Sequence, residues 1–200
     1  MIAIVDYGMG NLRSVTNAFR RLGAEIVVTR DPKQIREAGA LVLPGVGAFG
    51  KCVENLRQLD LFDLLKEEMA RGKPYLGICL GMQILLEWSE EAPGVPGMGV
   101  VKGKVVRFQG AMKIPHMGWN SVDMKRPAKV LGSIPDGSYF YFVHSYYCEP
   151  EEPVTATTTE YGGPFASSLE KENVFACQFH PEKSQAVGLK VLGNFVRLCG

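Results

Sequence analysis

Cys79 stands in the segment Gly77-Ile78-Cys79-Leu80-Gly81, between an apolar run, Pro74 to Ile78, and a helix-like stretch, Met82 to Trp88. A cysteine between a strand and a helix, with glycines two positions to either side, has the layout of a nucleophile elbow. Such a turn strains the backbone of the nucleophile and asks its neighbours to pack closely, which is what the glycines permit. The helix that follows would point its N-terminal amides at the sulfur and favour the thiolate. A hundred residues on, His180-Pro181-Glu182 supplies an imidazole to move protons and a carboxylate to orient that imidazole. Val174 to Cys177 reads as a strand ending just before His180, so both side chains fall on one sheet edge. Pro181 fixes the backbone between them.

Two further segments sit where a parallel sheet would gather functional loops. Pro44-Gly45-Val46-Gly47 follows a buried strand, and a glycine-rich loop can present an unhindered N–H to a developing oxyanion. The expected donors are the Leu80 N–H and one N–H from Val46 or Gly47. Glycines on both sides of Val46 also lower the cost of turning that peptide, so that a carbonyl rather than an N–H could face the oxyanion position. Asp6-Tyr7-Gly8-Met9-Gly10-Asn11 resembles a dinucleotide loop, but Arg13 occupies the third glycine position and that reading fails. It reads equally well as a turn capped by Asn11 and as a contact surface on the edge that holds Cys79.

The remaining candidates have blander readings. His180 and Glu182 could begin a zinc deaminase motif, but the P-C-x-x-C element that chemistry needs is missing. Cys52, Cys148, Cys177 and Cys199 have no elbow context and read as packing residues. Their scatter gives no disulfide framework, which suggests a reducing compartment. Three histidines, none at helical spacing from another, argue against a metal site. His144 reads as a hydrogen-bonded structural histidine, and His116 carries no signal.

The elements that must position these groups alternate through the first half. Ile2–Val5 is strand-like; Leu12, Val15, Phe19 and Leu22 mark the buried stripe of a helix capped by Asn11 and closed by Gly23. Strands over 25–29 and 40–43 enclose a short helix opened by Asp31-Pro32, and residues 51–71 read as helix broken near Asp60. Such alternation predicts an α/β fold, a mostly parallel central sheet flanked by helices on both faces in the flavodoxin-like manner. After the turn-rich 91–99 segment, short strands are expected over 100–108, 119–124, 139–143, 154–159, 165–169 and 174–178, adding antiparallel strands to the second half. A final helix from Ser184 should bury Val187, Val191, Phe195 and Leu198. No linker or repeat interrupts 1–200, so one domain is expected.

Bulk properties narrow the classes. Hydrophobic residues make up 46% of the 200 residues and the formal net charge is +1, which argues against a nucleic-acid or membrane-surface role. Met1 runs directly into strand-like residues with no basic, apolar leader, and no apolar stretch could span a bilayer, so a cytoplasmic location is expected.

Taken together, the elbow, the His-Pro-Glu segment, Asp6-Tyr7-Gly8-Met9-Gly10-Asn11-Leu12, Pro44-Gly45-Val46-Gly47-Ala48-Phe49, Pro115-His116-Met117-Gly118-Trp119-Asn120 and Phe179 to Ser184 resemble the class I (triad) glutamine amidotransferases along essentially the whole chain. The resemblance implies a catalytic triad of Cys79, His180 and Glu182 that hydrolyses glutamine to glutamate and ammonia, with no cofactor and no metal. It implies glutamine held by Gly45, Gln83, Ser145 and Tyr146. In the branch that the motifs favour, serving histidine biosynthesis, ammonia passes to a separate cyclase (β/α)8-barrel subunit in a heterodimer. Asn11, Trp119, Tyr141 and Lys183 would face that partner. Two readings stand beside this one: a glutaminase subunit of another ammonia-channelling synthase, such as pyridoxal phosphate synthase, and a non-catalytic flavodoxin-like binding module.

Overall fold

A computed structural model describes residues 1–199 of the chain. The first half alternates as the periodicity predicts: β1 (Ile2–Val5), α1 (Leu12–Arg21), β2 (Ile26–Thr29), α2 (Pro32–Glu37), β3 (Ala40–Gly45), α3 (Phe49–Gln58), α4 (Phe62–Ala70), β4 (Tyr75–Cys79) and α5 (Leu80–Gln83). The second half runs β5 (Trp88–Ser89), β6 (Gly103–Arg107), β7 (His116–Ser121), β8 (Asp123–Met124), β9 (Tyr139–His144), β10 (Tyr146–Pro150), β11 (Thr155–Glu160), β12 (Pro164–Lys171), β13 (Val174–Cys177) and α6 (Gln185–Cys199).

One sheet contains 11 strands in the order β2-β1-β3-β4-β13-β12-β10-β6-β5, with β11 and β8 branching from β12. Its first five strands are parallel throughout, and β12 and β10 extend it antiparallel. The central strands β1, β3, β4 and β13 are buried along their whole length, which is why they read as continuous apolar runs. Alternate side chains feed two cores. Ala3, Val5, Leu41, Leu43 and Tyr75 pack with residues of α2, α3 and α4. Ile2, Ile4, Val42, Leu76 and Ile78 pack with Val15 and Phe19 of α1 and with Val191 and Phe195 of α6. Helices therefore cover both faces, as expected of a doubly wound sheet.

Local signals hold where chemistry is local. Asn11 caps α1 through Oδ1, which accepts from Ser14 N at 3.3 Å. Asp31 caps α2 with Pro32 behind it, and Asp60, at φ 55°, breaks the 51–71 helix into α3 and α4. Four expectations need correction. The helix expected over 82–88 is a single turn, α5, because its next carbonyls are claimed from outside: Ile84 O, Leu85 O and Leu86 O accept from Met98, Val101 and Gly99 N–H. The 119–124 strand is two strands in two sheets, with β7 paired to β9 and β8 to β11, parted at the buried Val122. β10 and β5 were not among the expected strands; β10 is short, half-buried and ends in proline. In α6, Leu198 is exposed while Val191 and Phe195 are buried.

Candidate active site

The site lies at the C-terminal ends of the parallel strands. Cys79 ends β4 at φ 54° and ψ −105°, a left-handed strain that a β-carbon-bearing residue adopts only where its surroundings enforce it. The crowding is explicit. A β-carbon on Gly77 would lie 2.4 Å from Gly81 O, and one on Gly81 would lie 2.0 Å from Leu43 O. Both glycines are therefore fixed by close backbone approach, and the elbow they create lifts Cys79 toward the neighbouring loops.

β13 is the parallel neighbour of β4, so its exit brings His180 to the same edge. Residues 181–183 form a 3-10 turn, and within it Glu182 Oε1 accepts from His180 Nδ1 at 2.9 Å; both side chains are 1% exposed. With Nδ1 so engaged, Nε2 faces the sulfur side, buried and without a hydrogen-bond partner among the described residues. Burial pulls the His180 pKa down, but the Cys79 sulfur and the Glu182 carboxylate outweigh it and leave the imidazole held well toward its protonated form. Burial instead pushes Cys52 up to about 12 and Cys199 up to about 11, and raises Cys148 and Cys177 as well. Those four remain thiols at neutral pH and are poor nucleophiles.

A cavity of about 340 Å³ opens over the sulfur, lined by Val46, Gly47, Cys79, Leu80, Gln83, Glu91, Pro115, Val143, His144, Ser145 and Tyr146. That volume suits a small polar ligand of amino-acid size. β3 runs on through Pro44 and Gly45, so the loop proper is Val46 to Ala48. The Val46 and Gly47 N–H groups donate to no backbone acceptor among the described residues, and Gly47 sits at φ 108°. Gly45 pairs with Cys79 across the β3–β4 ladder and packs against Leu80, behind the cavity wall.

Gln83, Ser145 and Tyr146 all reach the cavity, but their polar atoms are partly committed. Gln83 Nε2 donates to Tyr146 O at 2.9 Å and to Gln178 Oε1 at 3.1 Å, and Ser145 O accepts from Phe108 N. Two contributors were missed in the sequence. Glu91 lines the cavity while its Oε2 accepts from Phe49 N at 2.7 Å, at the start of α3; it sits in a turn-rich stretch where no periodicity marks it. Gln178, fully buried, directs Nε2 at Cys79 Sγ at 3.5 Å. It precedes His180 by two residues, the spacing that places extended-chain residues on one face, and that signal was available.

Three of the four residues assigned to a partner face cluster beside the His180 turn. Trp119 and Tyr141 are cross-strand partners of the β7–β9 ribbon, and their rings meet edge to face at 6.3 Å. Lys183 Nζ stands 5.7 Å over the Tyr141 ring. Tyr141 is tied to the His180 turn: its carbonyl accepts from His180 N at 2.9 Å, and its N–H donates to Ser184 Oγ at 3.0 Å. Asn11 is half-buried at the head of α1.

Known proteins agree with this picture. The glutamine amidotransferase class-I family matches residues 3–198. The imidazole glycerol phosphate synthase subunit HisH of Methanothermobacter thermautotrophicus is 50% identical over 198 residues, covering 99% of this chain and 98% of that one. HisH of Moorella thermoacetica is 52% identical, covering 98% and 94%, and HisH of Aquifex aeolicus is 50% identical, covering 97% and 95%. Among solved structures, a glutamine amidotransferase matches with TM-score 0.79 over 100% of both chains at 19% identity. The glutaminase domain of Trypanosoma brucei CTPS with bound acivicin matches with TM-score 0.69 at 16% identity, covering 98% of this chain and 93% of that one. Strained cysteine, parallel-sheet edge and whole-chain likeness lead to one conclusion: the chain belongs to the class I glutamine amidotransferases, and within them to the HisH subunits of imidazole glycerol phosphate synthase.

Proposed function

We propose that this chain is the glutaminase subunit of imidazole glycerol phosphate synthase, hydrolysing glutamine with Cys79, His180 and Glu182 and delivering ammonia to a cyclase (β/α)8-barrel partner. The observation that carries the proposal is the strained Cys79 at the cavity floor, beside a His180 whose far nitrogen is already bound by Glu182. The Cys79 thiolate attacks the side-chain carbonyl carbon of glutamine. The oxyanion that forms is met by the Leu80 N–H and by the unengaged Val46 or Gly47 N–H. His180 gives its proton to the departing ammonia, leaving a thioester, then takes a proton from the water that releases glutamate. Glu182 keeps the imidazole oriented and stabilises its protonated form. Glu91 is the acidic side chain on the cavity wall and supplies a counter-charge for the α-ammonium of glutamine, with Gln83 Oε1 as a second acceptor.

The partner face is the outer side of the β7–β9 ribbon, where Met117, Trp119 and Tyr139 are 57%, 46% and 60% exposed. Apolar and aromatic surface of this kind suits a protein partner. The positive φ of Gly47 supports a reorientable Val46–Gly47 peptide that responds to partner and nucleotide. The near-full-length likeness to HisH subunits supports this synthase over another ammonia-channelling one, such as pyridoxal phosphate synthase.

The test is glutamate release from glutamine by the chain alone and with the barrel subunit and its nucleotide, with Cys79→Ala as control. Release that requires the liganded complex and disappears in Cys79→Ala supports the function and its gating. Equal release with and without the partner would refute the gating, and release surviving the loss of Cys79 would refute the mechanism.

A further inference from the structure

Along the cavity wall and behind it runs a line of polar groups that the triad chemistry does not use. Asn120 Nδ2 meets His116 Nε2 at 3.2 Å, and His116 Nδ1 meets His144 Nε2 at 3.0 Å. His144 Nδ1 meets Tyr146 O at 2.9 Å. From the other side Gln83 Nε2 reaches the same carbonyl, then Gln178 Oε1, and Gln178 Nε2 reaches Cys79 Sγ. His116, His144, Gln83 and Gln178 are all buried.

The direction of every bond follows from one atom that cannot be reversed. The Tyr146 carbonyl can only accept, so His144 must carry its proton on Nδ1 and Gln83 must turn its NH₂ inward. His144 Nε2 is then a lone pair, which requires the proton of His116 on Nδ1 and leaves its Nε2 to accept from Asn120. Asn120 is held in that sense independently, since Nδ2 also donates to Glu160 O and Oδ1 accepts from Ser121 N. On the other branch, Gln83 donates to Gln178 Oε1, so the group Gln178 offers the sulfur must be its N–H. A thiolate is a better acceptor than a thiol, so this N–H favours the ionised nucleophile and fixes where the sulfur points.

We propose that Gln178 is a further catalytic residue, donating an N–H to the Cys79 sulfur, and that His144, His116 and Gln83 are positioning residues that hold it there through the Tyr146 carbonyl. The placement has a mechanical basis. His116 and His144 are cross-strand partners on the inner face of the β7–β9 ribbon, the ribbon whose outer face carries Trp119 and Tyr141. His116 stacks on Phe142 and Tyr161, with ring centroids 4.9 and 4.0 Å apart, and His144 is wedged against Phe108 and Phe165, each centroid 5.2 Å away. Burial also keeps both rings neutral, lowering His116 to about 4 and His144 to about 3. As to turnover the proposal rests on the glutaminase reading; as to sulfur reactivity it does not.

The test therefore reads the sulfur directly. The full chain is treated with iodoacetamide across pH, the Cys79 thioether is quantified by peptide mass spectrometry, and thermal unfolding is followed alongside. Gln178→Met keeps the shape and removes the N–H. It is expected to move the Cys79 alkylation profile about one unit to higher pH, slowing alkylation about tenfold on the acid limb of the profile. His144→Phe should move it in the same direction, and His144→Asn, which keeps a donor near the Nδ1 position, should restore most of the rate. In the complex with the barrel subunit, the same variants should lower glutamine kcat/KM in that order. A Gln178→Met profile superimposed on wild type would overturn the proposal, as would His144→Asn reacting as slowly as His144→Phe. Should either position fail to fold when substituted, the other decides. A wild-type complex that released no glutamate would sink the glutaminase reading and leave the alkylation comparison intact.

Discussion

Glu182 and His180 are both 1% exposed, so their hydrogen bond is protected from water and its loss cannot be made good by solvent. On the proposed mechanism Glu182→Gln retains nucleophile and base but loses the charge that stabilises the imidazolium. It should lower kcat for glutamate release by roughly 10²-fold or more without abolishing it, as a steady-state assay of the complex would show. Activity equal to wild type would remove Glu182 from the triad. The histidines also set opposite pH trends in stability. His116 and His144 have folded-state values of about 4 and about 3, below the ordinary 6.5, so the unfolded chain binds their protons first. Stability from these two is complete above about pH 6.5 and falls as pH drops toward 3. His180 is raised instead, so its contribution is complete below about pH 6.5 and is lost as pH climbs through its folded value. Urea midpoints measured down the acid branch should decline less steeply in His144→Asn than in wild type.

At the scale of elements, the elbow depends on backbone contact more than on its helix. α5 has four residues, too few for the dipole that a longer helix would offer, and the loop at 98–101 completes its hydrogen bonding. What remains is crowding, and Gly81→Ala would drive a methyl group from α5 into Leu43 O of β3. It should destabilise the fold by at least about 3 kcal/mol, read as a drop in the urea midpoint, because backbone on both sides cannot yield. A second element-scale contact is Asn173, whose Nδ2 donates to Met69 O at 2.9 Å and Lys73 O at 2.8 Å. It ties the end of α4 to the β12–β13 turn and so holds β13, the strand that delivers His180. Asn173→Ala removes the side-chain donor to Lys73 O and one of two donors to Met69 O, which keeps the Gly72 N–H, and should cost about 1–3 kcal/mol in chemical denaturation.

At the scale of the whole molecule, the parallel half carries Cys79 and the antiparallel half builds the wall opposite it. The β7–β9 ribbon is the joint between them and the outside: aromatic rings face outward, the imidazoles face inward, and Tyr141 grips the His180 turn. A large ring at the centre of such a patch commonly dominates an interface. Trp119→Ala should weaken binding of the barrel subunit by about 10- to 100-fold, measured calorimetrically. Iodoacetamide reactivity of Cys79 in the free chain should be retained, because Trp119 points away from the site; loss of that reactivity would show that the ribbon itself had been disturbed.

The elbow, the His-Pro-Glu turn and the run of buried parallel strands were legible in the sequence because each is local. A strained cysteine needs glycines at fixed offsets, Pro181 sets its own backbone, and apolar runs bounded by turn residues read as central strands. Asn11, Asp31 and Asp60 marked their boundaries for the same reason. The single-turn α5 was not legible, since its carbonyls are captured by amides at 98–101, a contact no period reveals. Nor was the splitting of 119–124 between two sheets, which rests on separate partners, β9 and β11. The line from Asn120 to Cys79 is likewise tertiary: its hydrogen bonds join residues of the four strands β7, β9, β10 and β4 with Gln83 of α5 and Gln178 just after β13, and the burial that keeps its imidazoles neutral exists only once both sides of the sheet are packed. The sequence by itself determined which atoms could attack and which could carry a proton. The tertiary structure decided how they are aimed, because aim depends on hydrogen bonds between residues as far apart as Gln83 and Gln178.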